Sequence, residues 1–61
     1  MTTTAANIKT GQTFTHKGET FTAISNKASN LLNVAGQNLR YILVTDDMGI
    51  MLNPNMTVEV N

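Results

Sequence analysis

Leu39-Arg40-Tyr41-Ile42-Leu43-Val44-Thr45-Asp46-Asp47-Met48-Gly49-Ile50-Met51-Leu52 is the long apolar run of this chain, and it holds its own turn. Tyr41–Val44 is rich in β-branched and aromatic residues and has no helix breaker. A short unbroken apolar run of this kind suits a strand buried on both faces, or one covered by a partner. Asp46-Asp47-Met48-Gly49 reads as a turn. Aspartate bonds its own backbone in tight turns, and Gly49 is expected to close the turn in the left-handed region. Ile50-Met51-Leu52 returns as the second strand of a hairpin.

Around this hairpin the rest of the chain supplies further strands. Gln12–His16 and Glu19–Ile24 alternate on either side of Lys17-Gly18. A two-residue Lys17-Gly18 loop pairs Phe14 with Phe21, Thr15 with Thr20 and His16 with Glu19. The aromatic pair then faces inward and the threonines face out. Asn53-Pro54-Asn55 is a breaker, because proline offers no N–H and restricts the residue before it. Met56–Val60 alternates apolar and polar, as a terminal strand that closes a sheet does.

Two stretches read differently. Met1–Asn7 is small and polar, with too little apolar surface to order alone, and is expected to be a flexible tail ahead of one small domain over residues 8–61. In Ser25–Gly36, Ala28, Leu31, Leu32 and Ala35 fall at the spacing of one helical face. Ser25 or Asn26 could cap that helix and Gly36 end it. The rival reading makes Leu31–Val34 a strand. A short helix is favoured over it, despite Asn30 and Asn33, which are poor helix formers.

The expectation is a mainly β protein: five short strands in an antiparallel curled sheet or small barrel, with one short helix or helical turn. The expected core is Ile8, Phe14, Phe21, Ile24, Leu31, Leu32, Tyr41, Leu43, Val44, Ile50, Leu52, Val58 and Val60.

Gly49–Val58, in which a hairpin strand meets a proline-containing turn and then a last strand, resembles the end of SH3-like barrels. Gly11-x-x-Phe14-x-x-x-Gly18-x-x-Phe21 is similar to small β proteins common in bacteriophage genomes. The resemblance implies an SH3-like barrel topology and a phage or bacterial origin. The acidic-aromatic first strand and the tryptophan of peptide-binding SH3 domains are missing, so proline-rich peptide binding is not implied.

Composition narrows function further. In 61 residues there is no cysteine and one histidine, so a thiolate or multi-histidine metal site within one chain is excluded. No cofactor or metal is expected. Four Lys and Arg balance four Asp and Glu, which disfavours broad phosphate-backbone binding and leaves little colloidal repulsion between copies. No apolar stretch approaches the roughly 20 residues of a membrane span. Met1–Thr4 lacks the basic start of a signal peptide, so the expected compartment is the cytoplasm.

No residue pattern specifies catalysis. His16 opposite Glu19 could exchange protons, but no nucleophile accompanies the pair, and a surface cross-strand pair accounts for it. Asp46 and Asp47 are turn chemistry rather than half a metal site. Met48, Met51 and Met56 could present an adaptable surface, with Met48 the most exposed. Arg40 with Lys9, Lys17 and Lys27 could line a nucleic-acid face on which Phe14 or Phe21 stacks bases. The expected function is therefore a non-enzymatic protein-interaction module, self-associating, in its sharpest form a phage accessory or inhibitor protein acting on a host protein. The residues expected to meet the partner are Phe14, His16, Lys17, Phe21, Arg40, Tyr41 and Met48. A small nucleic-acid-binding barrel and a virion subunit are the alternatives.

Overall fold

A computed structural model describes Met1–Asn61. It has seven strands: β1 (Thr2–Thr4), β2 (Thr13–His16), β3 (Glu19–Thr22), β4 (Ser25–Leu32), β5 (Asn38–Thr45), β6 (Met48–Leu52) and β7 (Thr57–Val60). They form two antiparallel sheets, the first in the order β1-β7-β2-β3 and the second β4-β5-β6. The mainly β expectation is met, but the five-stranded sheet is not, and neither sheet closes into a barrel. The chain turns a corner after Ala23. Gln12 and Ala23 still pair with the first sheet's hairpin, whereas the Ile24 N–H donates to the Leu43 carbonyl of the second sheet at 2.7 Å. One continuous run of extended chain thus serves both sheets.

The β2–β3 hairpin has the expected register, with Phe14 opposite Phe21 and His16 opposite Glu19. Lys17 and Gly18 both take positive φ, at 52° and 80°. Such a turn matches the right-handed twist of the strands it joins. The two phenyl rings lie 5.8 Å apart and tilted by 35°.

The β5–β6 hairpin turns at Asp46-Asp47, with Thr45 opposite Met48 and Leu43 opposite Gly49. Between those pairs the register slips by one residue, so Val44 has no partner across the ladder and β5 bulges there. Gly49 was expected to end the turn in the left-handed region; instead it lies within β6, and its φ is not positive. Its role is a close approach. A Cβ on Gly49 would fall inside the Tyr41 ring, which crosses from β5 to lie over the bare backbone.

Two further expectations are corrected. Ser25–Gly36 forms no helix: Ser25–Leu32 is β4, paired with β5 from Ser25 opposite Leu43 to Leu32 opposite Asn38. Ladder pairing to the adjacent β5 outweighs a weak helical periodicity in a segment poor in helix formers. Residues Ser29–Leu31 bulge out of register, held where Ser29 Oγ accepts from the Leu31 N–H at 3.1 Å. Gly36, at φ 81°, belongs to the β4–β5 turn. The flexible tail expected over residues 1–7 is also replaced by structure. Thr2–Thr4 adds to β7, with Thr3 opposite Val58, and Ala5–Asn7 makes a single 3-10 turn. Ala5 is completely buried, and its N–H donates to the Met56 carbonyl at 2.8 Å. A segment too polar to order alone orders because β7 offers it an edge.

The core between the sheets is Ala5, Ile8, Phe14, Ala23, Ile42, Val44, Leu52, Val58 and Val60, with Phe21 and Ile50 packed against it. Ile24, Leu31, Leu32 and Tyr41 were expected inside and are exposed, while Leu43 is half-buried. Ala5, Ala23 and Ile42 take their places. The exchange on β5 follows from the pleat: with Ile42 and Val44 inward, Tyr41 and Leu43 point out.

One polar side chain joins three parts of this core. Asn26 sits opposite Ile42 on the inward face of β4. Its Nδ2 donates to the carbonyls of Ala5 (2.8 Å) and Ile8 (2.9 Å). Its Oδ1 accepts from Arg40 Nε at 3.0 Å, and Arg40 Nη2 donates to the Asn26 carbonyl at 3.1 Å. The N-terminal segment is thereby fastened to the second sheet.

Candidate interaction surface

The residues expected to meet a partner are spread over both sheets. Phe14 is fully buried and Phe21 half-buried against it, so neither ring is free to stack on a base or fill a partner's pocket. His16 and Glu19 close the β2–β3 ladder beside the exposed Lys17 turn. Arg40 points inward and is occupied by Asn26. Tyr41 is exposed on the outward face of the second sheet, and Met48 is exposed where β6 leaves its turn.

The four cations do not share a face. Lys9 lies between the 3-10 turn and β2, and Lys17 at the far tip of the first sheet. Lys27 pairs with Tyr41 on the outward face of the second sheet, whereas Arg40, one residue along β5, faces inward. The expected nucleic-acid face has no assembled basic patch. No three His, Asp or Glu side chains converge, no cleft opens in the surface, and no helix is long and apolar enough to cross a membrane.

What the structure does assemble is apolar surface on the second sheet. Ile24, Leu31, Leu32, Val34, Tyr41 and Met48 lie on or beside its strands, and are six of the eight large apolar residues left exposed. Leu39, Leu43 and Met51 are half-buried. Tyr41 and Leu43 share the outward face of β5, and Met51 lies opposite Tyr41 on β6. The outward face of the first sheet contrasts with it. Thr2, Thr4, Thr13, Thr15, Thr20, Thr22 and Thr57 cover that sheet, with Glu59 among them paired to the Met1 α-amino group at 3.2 Å.

The β4–β5 turn projects Leu31 (62 % exposed), Leu32 (59 %) and Val34, which is wholly exposed. This arm is tightly bonded. Asn33 Oδ1 accepts from the N–H groups of Ala35 and Gln37, each at 2.9 Å. Asn33 Nδ2 donates to Asn53 Oδ1 at 3.1 Å, and Asn55 Nδ2 to Gln37 Oε1 at the same distance. The arm and the Asn53–Asn55 loop thus brace each other. From Ala28 to Leu39, and again from Met48 to Val58, the chain carries no charge. An apolar tip held in place by side-chain amides presents contact area with little ordering left to do on binding.

Sequence reasoning missed Leu31, Leu32 and Val34 as surface residues because a helix would have turned the leucines inward. A signal was present: adjacent leucines cannot both face one side of a strand. Comparison of the chain with family models, with curated proteins and with solved structures finds no match, so its function is argued from this surface.

Proposed function

We propose that the protein is a non-enzymatic interaction module that binds another protein through the outward side of its second sheet and the β4–β5 arm. The carrying observation is β5. It is the central strand of its sheet and is apolar on both faces, yet its outward face is covered only in part, with Leu39 and Leu43 half-buried and Tyr41 exposed. Strands of that composition belong between two layers, and a partner supplies the second. The braced arm extends the same surface with uncharged apolar contacts.

The SH3-like reading is retained as part of this proposal. The run from β3 to β4 that bends between sheets, the β5–β6 hairpin, the Asn53–Met56 turn and the last strand β7 support it. The phage resemblance supports a cytoplasmic accessory or inhibitor protein acting on a host protein. Nucleic-acid binding ranks below this reading because its cations are dispersed.

The test is capture from a bacterial lysate on the immobilised full chain, with and without nuclease. A discrete protein retained in both samples, and lost with a Leu31→Asn, Leu32→Asn double variant that keeps its fold, is the expected result. Material that disappears with nuclease, or capture indifferent to the substitutions, overturns it.

A further inference from the structure

Resting on that reading, we infer that the layer missing from the second sheet is the same sheet of a second copy, packed face to face about a two-fold axis that runs along β5. Two observations select this occupant, and a third sets its strength.

The first is charge. A charged face repels its own copy, whereas this outward face carries one charge, Lys27, on a chain of zero formal net charge. The second is geometry. Across the sheet, Lys27, Tyr41 and Met51 lie in one row, on β4, β5 and β6 respectively. A two-fold axis along β5 preserves the row and exchanges its ends. Tyr41 then meets Tyr41, and the Lys27 stem covers the partner's Met51 while its ammonium reaches water beyond the edge. An axis across the strands at this row would instead set Lys27 over Lys27.

The third is area. Three strands spaced about 4.8 Å apart, with β5 roughly 26 Å long, make a face of about 350 Å² in projection. A stable interface removes about 800 Å² of accessible surface per partner. The sheet face with the arm beside it therefore makes a small contact. The dimer belongs to the weak, reversible class, with a dissociation constant in the micromolar range or above.

The experiment is equilibrium sedimentation of the full chain from about 1 μM to about 1 mM, a range that brackets such affinities. The mass is expected to rise with concentration from 6.6 kDa towards twice that value. Met51→Lys places a lysine against Lys27 of the partner copy at both ends of the row and should weaken the dimer by about tenfold, the scale of two solvated like-charge contacts. Adding Lys27→Glu to Met51→Lys turns that contact into an ion pair and should restore dimerisation. If circular dichroism shows that Met51→Lys unfolds, Leu39→Glu on β5, on the same outward face, serves in its place. A chain that stays monomeric throughout overturns the inference, as does a dimer indifferent to these substitutions. A monomer that still captures a host protein through the arm leaves the interaction reading standing with a different partner, so the two failures are separable.

Discussion

The two sheets of this protein are finished in opposite ways. Each buries one face against the other, but the first ends in threonine and the second in tyrosine, leucine and methionine. Threonine is well suited to an exposed pleated surface: its β-branch favours extended backbone and its hydroxyl stays hydrated. That face needs nothing further. The outward face of β5 and β6 keeps large apolar side chains only partly buried, with Tyr41 exposed. The contrast is the ground on which the second sheet's outward side is proposed as the interaction surface. A similar contrast exists in the turns: Lys17-Gly18 joins two strands and carries a cation, whereas the Asn33–Gln37 arm is braced by four side-chain amides and carries valine.

The comparison breaks most visibly in the shared core. Phe14→Ala removes the largest buried side chain of the first sheet and should cost about 3–5 kcal/mol. In a domain this small that approaches the whole stability, so chemical denaturation should show a chain largely unfolded in buffer. A cooperative wild-type-like transition would mean that the second sheet stands without the first.

The link between the sheets comes next. Asn26→Ala removes the Nδ2 bonds to the Ala5 and Ile8 carbonyls and the Oδ1 acceptor of Arg40 Nε, while Arg40 Nη2 keeps the residue 26 backbone carbonyl, at about 1–3 kcal/mol. Amide exchange should accelerate first in β1 and the 3-10 turn, and unchanged protection there would show that β7 alone holds the N-terminal segment. On the outward face of the second sheet, Gly49→Ala drives a methyl into the Tyr41 ring. The ring is exposed and can swing away, so the loss should be about 1 kcal/mol, at the low end for overpacking. Tyr41→Ser in the same chain should recover most of it, measured as a coupling in a double-mutant cycle. The smallest effect is expected on the first sheet's outward face. Thr15→Ala should move the thermal midpoint by no more than about 0.5 kcal/mol allows, and it should leave self-association unchanged. A loss of association in this variant would place the interface on the wrong sheet.

Much of this structure was readable beforehand, and the reasons differ by element. Phe14 and Phe21 were paired correctly because a two-residue turn leaves little freedom of register. Val58 and Val60 were placed inward because period-two alternation over β7 has a single solution. Leu39–Leu52 was recognised as a hairpin by composition. Its faces were assigned wrongly at Tyr41 and Ile42, because a run apolar on both sides contains no periodicity to orient it. The same feature makes the outward face a candidate site, so the ambiguity of the sequence and the function proposed for the surface have one origin. Glycine serves both a left-handed turn and a close approach, so the sequence points Gly49 to the turn, and only the position of the Tyr41 ring separates the two.

Local chemistry in the sequence thus determined β2, β3, β5, β6 and β7, the β2–β3 register, the breaker at Pro54 and the absence of charge from two long segments. Tertiary structure alone decided three things. Thr2–Thr4 became a strand because an edge of β7 was available to it. Ser25–Leu32 became β4 rather than a helix because the backbone groups of β5 completed its ladder. The chain divided into two sheets at Ala23 because one extended run bonds to Gln12 on one side of the corner and to Leu43 on the other. In each case the deciding hydrogen bonds join residues far apart in the chain, and their energy is absent from any window of sequence short enough to carry a propensity.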